Sequence, residues 1–136
     1  MRLKKTIALL CSAWFFICIC LFHSSATMIN DNQSKSIYIS ATDASISVDT
    51  YLTTVEGYVK GTSDVVRVRI ILELQKKTGE SYSTIKTWEK TYNAYRATMQ
   101  KSKLTSPLNT YRLKATFTAY TNTSSETKIV YAYDNK

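Results

Sequence analysis

Val66, Val68, Ile70, Leu72 and Leu74 recur at intervals of two, with Arg67, Arg69, Glu73 and Gln75 between them. That is the period of a strand buried on one face, and it predicts a central strand of an antiparallel sheet. Thr110 to Thr121 alternates as cleanly: Tyr111, Leu113, Ala115, Phe117 and Ala119 share one face, and Arg112, Lys114, Thr116, Thr118 and Tyr120 share the other. Weaker alternation marks the remaining elements. Ile37 and Ile39 read as a short edge segment, and strands proper begin near Ser45, where Ile46 and Val48 alternate with serine and aspartate. Thr50 to Lys60 places Tyr51, Thr53, Val55 and Val59 on one side, with Gly57 read as a bulge or bend. "GTSD" at Gly61 and "KKTGES" at Lys76 are turns. Ser83 to Tyr92, Arg96 to Leu104 and Lys128 to Tyr133 complete the set. About seven short strands with turn signals between them predict an all-β fold, a single antiparallel Greek-key sandwich, with a β-barrel as the nearest rival.

The chain ahead of these strands has a different character. Arg2, Lys4 and Lys5 precede a run of 17 almost wholly apolar residues from Thr6 to Phe22, and Ser24, Ser25 and Ala26 follow. A positive segment, an apolar segment and small residues are the three parts of a secretory signal peptide, so residues 1–26 read as a signal peptide helix cleaved after Ala26. An uncleaved membrane anchor is the competing reading, because the run is at the short end of a membrane span. Leu10 before Cys11 and Ile19 before Cys20 speak against lipid attachment. Residues 27–36 are polar and read as a flexible lead-in, leaving 37–136 for the sandwich.

Composition matters chiefly through what the leader removes. Cys11, Cys18, Cys20 and His23 are all the cysteines and histidines in the chain. A domain exported without them has no disulfide, thiol nucleophile, imidazole base or Cys/His metal site, and no metal or cofactor is expected. The roughly 110 remaining residues are enough for one self-sufficient core. Loss of the three leader cations takes the net charge from +8 to +5. The carboxylates are scattered singly, and Glu73 with Glu89 is the one pair with a prospect of glycosidase spacing. An extracellular address argues against nucleic acid as partner, and a membrane enters only through an uncleaved leader.

"SPLNTYRLKATFTAY", Ser106 to Tyr120, resembles the corner that leads into strand F of fibronectin type III and immunoglobulin-like domains. Pro107, Tyr111, Leu113, Ala115 and Phe117 carry the resemblance, which implies that the Tyr111 hydroxyl bonds back to the corner's backbone. The early-strand tryptophan of that family is missing; Trp88 comes after the central strand. More broadly, "VEGYVKG", "VVRVRIILELQKK", "TIKTWEKT", "TYRLKATFTAY" and "SSET" together resemble small secreted Gram-positive bacterial proteins of a domain-of-unknown-function family. Usual members have glycine where this chain has Thr110. The resemblance implies export and a sandwich, and brings no catalytic residue.

In a fibronectin-like order the central strand and the Thr110 to Thr121 strand are neighbours, so Arg67, Arg69, Arg112 and Lys114 are expected on one outer sheet face, pointing to solvent. By period, Lys86, Trp88 and Lys90 are expected to extend it. Cations with an aromatic among them suit an anionic cell-wall polymer, an acidic glycan or a protein partner; the plainer account is a solvated sheet face. The expected function is therefore a secreted, non-enzymatic binding module. The alternatives are a passive structural or self-assembling protein, with Lys128 to Tyr133 as its open edge, and an enzyme of unfamiliar type.

Overall fold

The computed structural model describes residues 36–134; the leader and most of the lead-in lie outside them. Seven strands follow one another: β1 (Ile39–Asp49), β2 (Leu52–Gly61), β3 (Arg67–Thr78), β4 (Ser81–Tyr92), β5 (Arg96–Leu104), β6 (Tyr111–Tyr120) and β7 (Ser125–Tyr133). They form two antiparallel sheets, β1-β2-β5 and β4-β3-β6-β7, packed face to face. This is the strand order of a fibronectin type III-like Greek-key sandwich. Three connections are hairpins within a sheet, and β2 to β3, β4 to β5 and β5 to β6 cross between sheets.

The two most regular alternations in the sequence became the two central strands. β3 pairs with β4 and β6, and β6 with β3 and β7, so both are hydrogen-bonded along both edges. Their inner residues Val68, Ile70, Leu72, Leu74, Leu113, Ala115 and Phe117 are fully buried against Val55 and Val59 of β2. Each large side chain so removed from water contributes about 1.5–3 kcal/mol.

Four local readings need correction. β1 runs unbroken from Ile39, with a bulge after it, because Ile39 is itself a core residue. Gly57 is no bend: it pairs in register with Ala44 and Met99. A Cβ there would lie 2.8 Å from Leu72 Cδ2 and 3.2 Å from Phe117 Cε1, so glycine leaves room for these two side chains of the opposite sheet. Val65, not Val66, is buried, since the chain crossing between sheets folds Val65 over Gly61 and leaves Val66 50% exposed. Tyr51 is 66% exposed because it sits in the two-residue turn between paired Asp49 and Leu52, outside the strand whose period it seemed to continue.

The Tyr111 corner forms. Its buried hydroxyl donates to the Ser106 carbonyl at 3.1 Å and accepts from the Ser106 amide at 3.2 Å and Asn109 Nδ2 at 3.3 Å. At the other edge of the sandwich Glu126 of β7 gathers the start of the described chain. Its carboxylate accepts from the Ser36 hydroxyl at 2.7 Å and the amides of Tyr38 at 2.6 Å and Ile39 at 2.9 Å. Burial alone would raise this carboxyl, but the Ser36 and backbone bonds outweigh it and hold it below its ordinary value.

Candidate functional site

Residues directly opposite on paired strands share a face. β3 and β6 are neighbours, with Arg67 opposite Tyr120, Arg69 opposite Thr118, Glu73 opposite Lys114 and Gln75 opposite Arg112. Arg67, Arg69, Arg112 and Lys114 therefore do emerge together on the outer face of the four-stranded sheet. Lys86, Trp88 and Lys90 do not join them. They stand opposite Leu74, Leu72 and Ile70, whose side chains point inward, so all three belong to the other face of the sheet. Alternation along β4 could not reveal this: its residues are mostly exposed on both faces, and only the register against β3 tells inside from outside.

The cations of the outer face are occupied by their neighbours. The Arg112 guanidinium lies 3.9 Å from the Tyr82 ring and 4.8 Å from the Tyr131 ring, and its Nε donates to Gln75 Oε1 at 2.7 Å. Gln75 Nε2 in turn donates to Thr84 Oγ1 at 3.1 Å, and Thr84 bonds Glu73 at 3.3 Å. Glu73 ends the chain on Lys114 Nζ at 2.8 Å. Three strands are thus cross-linked by one polar network, with the Tyr131 ring of β7 touching it through Arg112, and Gln75 is buried beneath it although it faces outward. The bond to Glu73 raises the Lys114 ammonium above its ordinary value, against the opposing pull of burial. Arg67 stacks on Tyr120 at 4.5 Å, and Arg69 reaches Glu89 at 3.5 Å. Glu73 and Glu89 are accordingly each matched to a cation on an open sheet face.

A second basic region lies at the seam where the two sheets part. β4 and β5 are the edge strands on one side of the sandwich, joined by Asn93 to Tyr95. From β4, Lys86, Trp88 and Lys90 face inward. From β5, Ala97, Met99, Lys101 and Lys103 do the same, standing opposite inward-facing Val59, Gly57, Val55 and Thr53. Met99 is buried and Trp88 packs against the core, so the tryptophan closes the core at this edge. Beyond it the lysines reach out along their apolar stems. Lys86 Nζ lies 5.9 Å from the Trp88 ring centre and Lys90 Nζ 5.0 Å from that of Tyr92. Among the described residues none of the four lysines forms an ion pair, and neither inward face carries an Asp or Glu. The weak alternation of Ala97, Met99 and Lys101 is legible in the sequence, but sequence reasoning did not extend it to Lys103 or take either lysine as a site residue.

Other chemistry has little to build on. Among the described residues no group of three His, Cys, Asp or Glu side chains could hold a metal, and no helix is long and apolar enough to cross a membrane. An open depression of about 440 Å³ at one end of the sandwich is lined by Tyr38, Ser63, Asp64, Val66 and Thr121 to Thr123, with a single carboxylate. No family model, curated protein or solved structure compared with the chain matches it.

Proposed function

We propose that the chain is an exported, non-catalytic binding module for an anionic polymer of the cell envelope. The observation that carries this is the seam: Lys86, Lys90, Lys101 and Lys103 on two facing edge strands, without a counter-charge, beside a half-buried tryptophan. A positive field with no internal counter-charge is available to an external anion, whereas on the outer face Arg69 and Lys114 are ion-paired and Arg112 is held by two rings and Gln75. The leader and the resemblance to small secreted proteins support the address. Purified protein should be retained on an immobilised linear polyanion at low ionic strength and released as salt rises past physiological, where screening acts over about 8 Å. No retention at low salt overturns the reading. Export is tested separately, by N-terminal sequencing of protein from culture medium, which should begin at or near Thr27; full-length protein held in the membrane refutes cleavage.

The open edge of β7 supports a second reading, self-assembly, because Ile129 is half exposed there and one side of the strand is unpaired. Concentration-dependent sedimentation without polyanion retention would favour it.

A further inference from the structure

We infer that β1 is a docking edge for an extended peptide strand that carries lysine or arginine on its outward-facing positions. The edge lies on the opposite side of the three-stranded sheet from β5 and its lysines, and the inference goes beyond the reading above.

Two open sheets leave four edge strands, here β1 and β5 in one sheet and β4 and β7 in the other. A bare edge is a template for another strand. A charge turned inward spoils the template, because a strand laid alongside would bury that charge. Three of the edges are guarded in this way. β4 has Lys86 and Lys90 opposite Leu74 and Ile70, β5 has Lys101 and Lys103 opposite Val55 and Thr53, and β7 has Glu126 and Lys128 opposite Ala119 and Phe117. β1 has no such guard. Its inward positions after the bulge are Thr42, Ala44, Ile46 and Val48, and its two charges, Asp43 and Asp49, both face outward.

The backbone of the same stretch is turned to the open side. Asp49 and Leu52 close a two-residue turn, which directs the Asp49 carbonyl toward β2. By alternation the amides and carbonyls of Ala44, Ile46 and Val48 point away from β2. The Ala44 amide agrees, since it donates to Asp43 Oδ1 at 2.9 Å as a group outside the ladder does. The amides of Ile46 and Val48 have no partner among the described residues, and the Glu126 carboxylate takes the amides of this segment only as far as Ile39. Donors and acceptors that repeat every second residue, about 7 Å apart, are matched by the backbone of another strand. A lipid, a polyphosphate or a glycan has no such repeat of paired amides and carbonyls.

The side chains select among strands. Asp43, Ser45, Ser47 and Asp49 are exposed on the outer face of β1, and Glu56 of β2 stands opposite Ser45 on that face. None of these three carboxylates forms an ion pair among the described residues. The cations of the same face, Lys60 and Arg96, stand in the row of Ala41, beyond Asp43. Outward residues of an added strand would lie about 5 Å from the β1 row. Lysine or arginine there meets Asp43 and Asp49, which are about 20 Å apart, while its inward residues lie beside Ala44, Ile46 and Val48. A second copy of β1 is disfavoured, because it would set two rows of carboxylates side by side.

The test uses the full chain and short blocked peptides, long enough to span Asp43 to Asp49, that alternate valine with either lysine or glutamate. The lysine peptide should slow hydrogen exchange of the Ile46 and Val48 amides at least about tenfold and leave the edge amides of β4, β5 and β7 unchanged. The glutamate peptide at equal concentration should not, nor should a lysine peptide N-methylated at the amides that would face β1. Asp43→Asn with Asp49→Asn should weaken the lysine peptide at least about tenfold. Val48→Lys gives β1 the inward charge of the other edges and should abolish binding, with circular dichroism monitoring its fold; the N-methylated peptide tests the same pairing without altering the protein. Lys86→Gln with Lys90→Gln should leave peptide binding unchanged.

Equal protection by the glutamate or the N-methylated peptide, protection at another edge, or no protection at saturating peptide would overturn the assignment. Protection of Ile46 and Val48 that grows with protein concentration alone would give the edge to a second copy and overturn the basic strand as its occupant.

Discussion

Arg112 on the outer face of the four-stranded sheet touches two tyrosine rings and a buried glutamine, whereas the Lys101 ammonium on the inner side of β5 has no hydrogen-bond or ion-pair partner among the described residues. Both look alike in the sequence, as cations in alternating strands. Their difference follows from position in the sheets. Arg112 stands on a central strand, with neighbours on both sides whose side chains share its face and can reach it. Lys101 stands on an edge strand with a neighbour on one side only, and its partner residue across that pairing is the apolar Val55. Central cations become part of the fold, and edge cations stay available. A count of basic residues on a face is thus a poor guide to binding until the acids, amides and rings beside them are known.

The largest expected effect breaks the floor both regions share. Leu72→Ala or Phe117→Ala should cost roughly 2–5 kcal/mol in denaturant unfolding, and both regions should lose their geometry together. Gly57→Ala should follow, at about 1–3 kcal/mol, because Leu72 and Phe117 must yield to a Cβ. Arg112→Ala separates the two regions: it should lower stability by about 2 kcal/mol through lost ring stacking and the bond to Gln75, with no weakening of polyanion binding. Lys101→Ala should do the reverse, weakening binding while changing stability by less than about 0.5 kcal/mol. An Arg112 variant as stable as the parent would remove the distinction.

Tyr111→Phe is smaller, on the order of 1 kcal/mol for one net hydrogen bond, and more if the Ser106 groups are left unpaired. The smallest effect is a pH dependence at the edge away from the seam. Glu126 has its folded value below the ordinary 4.5, so its stabilisation is complete above that pH and is lost as pH falls through the folded value. Unfolding midpoints measured down that window should drop more steeply in the parent than in Glu126→Gln. Equal slopes would show that Glu126 holds nothing.

The fold was legible because its two central strands are buried on one face along their whole length, and burial writes itself as alternation. Even the corner at Tyr111 could be read, since a proline and a tyrosine at fixed spacing carry it. The errors cluster where a local pattern was asked for a non-local fact. Gly57 looks like a break until Phe117, 60 positions later, is seen against it. Lys86 and Trp88 have the right period for either face, and only pairing with β3 settles which. Arg112 was expected to point freely into solvent, because nothing near it in sequence reveals that Tyr82 and Tyr131 will stand on either side. The lysines of β5 were not read as a site for the complementary reason: Ala97, Met99 and Lys101 alternate only weakly, and with Lys103 they form an inner face too short of apolar residues to announce itself.

Glu126 also sets an order of events during synthesis. The groups it binds, from Ser36 to Ile39, lie 87 to 90 positions earlier in the chain. Contacts so distant in sequence close late and carry a large loop-closure cost, which slows folding. The start of β1 leaves the ribosome ahead of every other strand and can be fastened only after β7 has been made. Until then the β1–β2 and β3–β4 hairpins have their partners, but the leading end from Ser36 to Ile39 lacks its anchor, so fastening of the chain's start waits on its last strand.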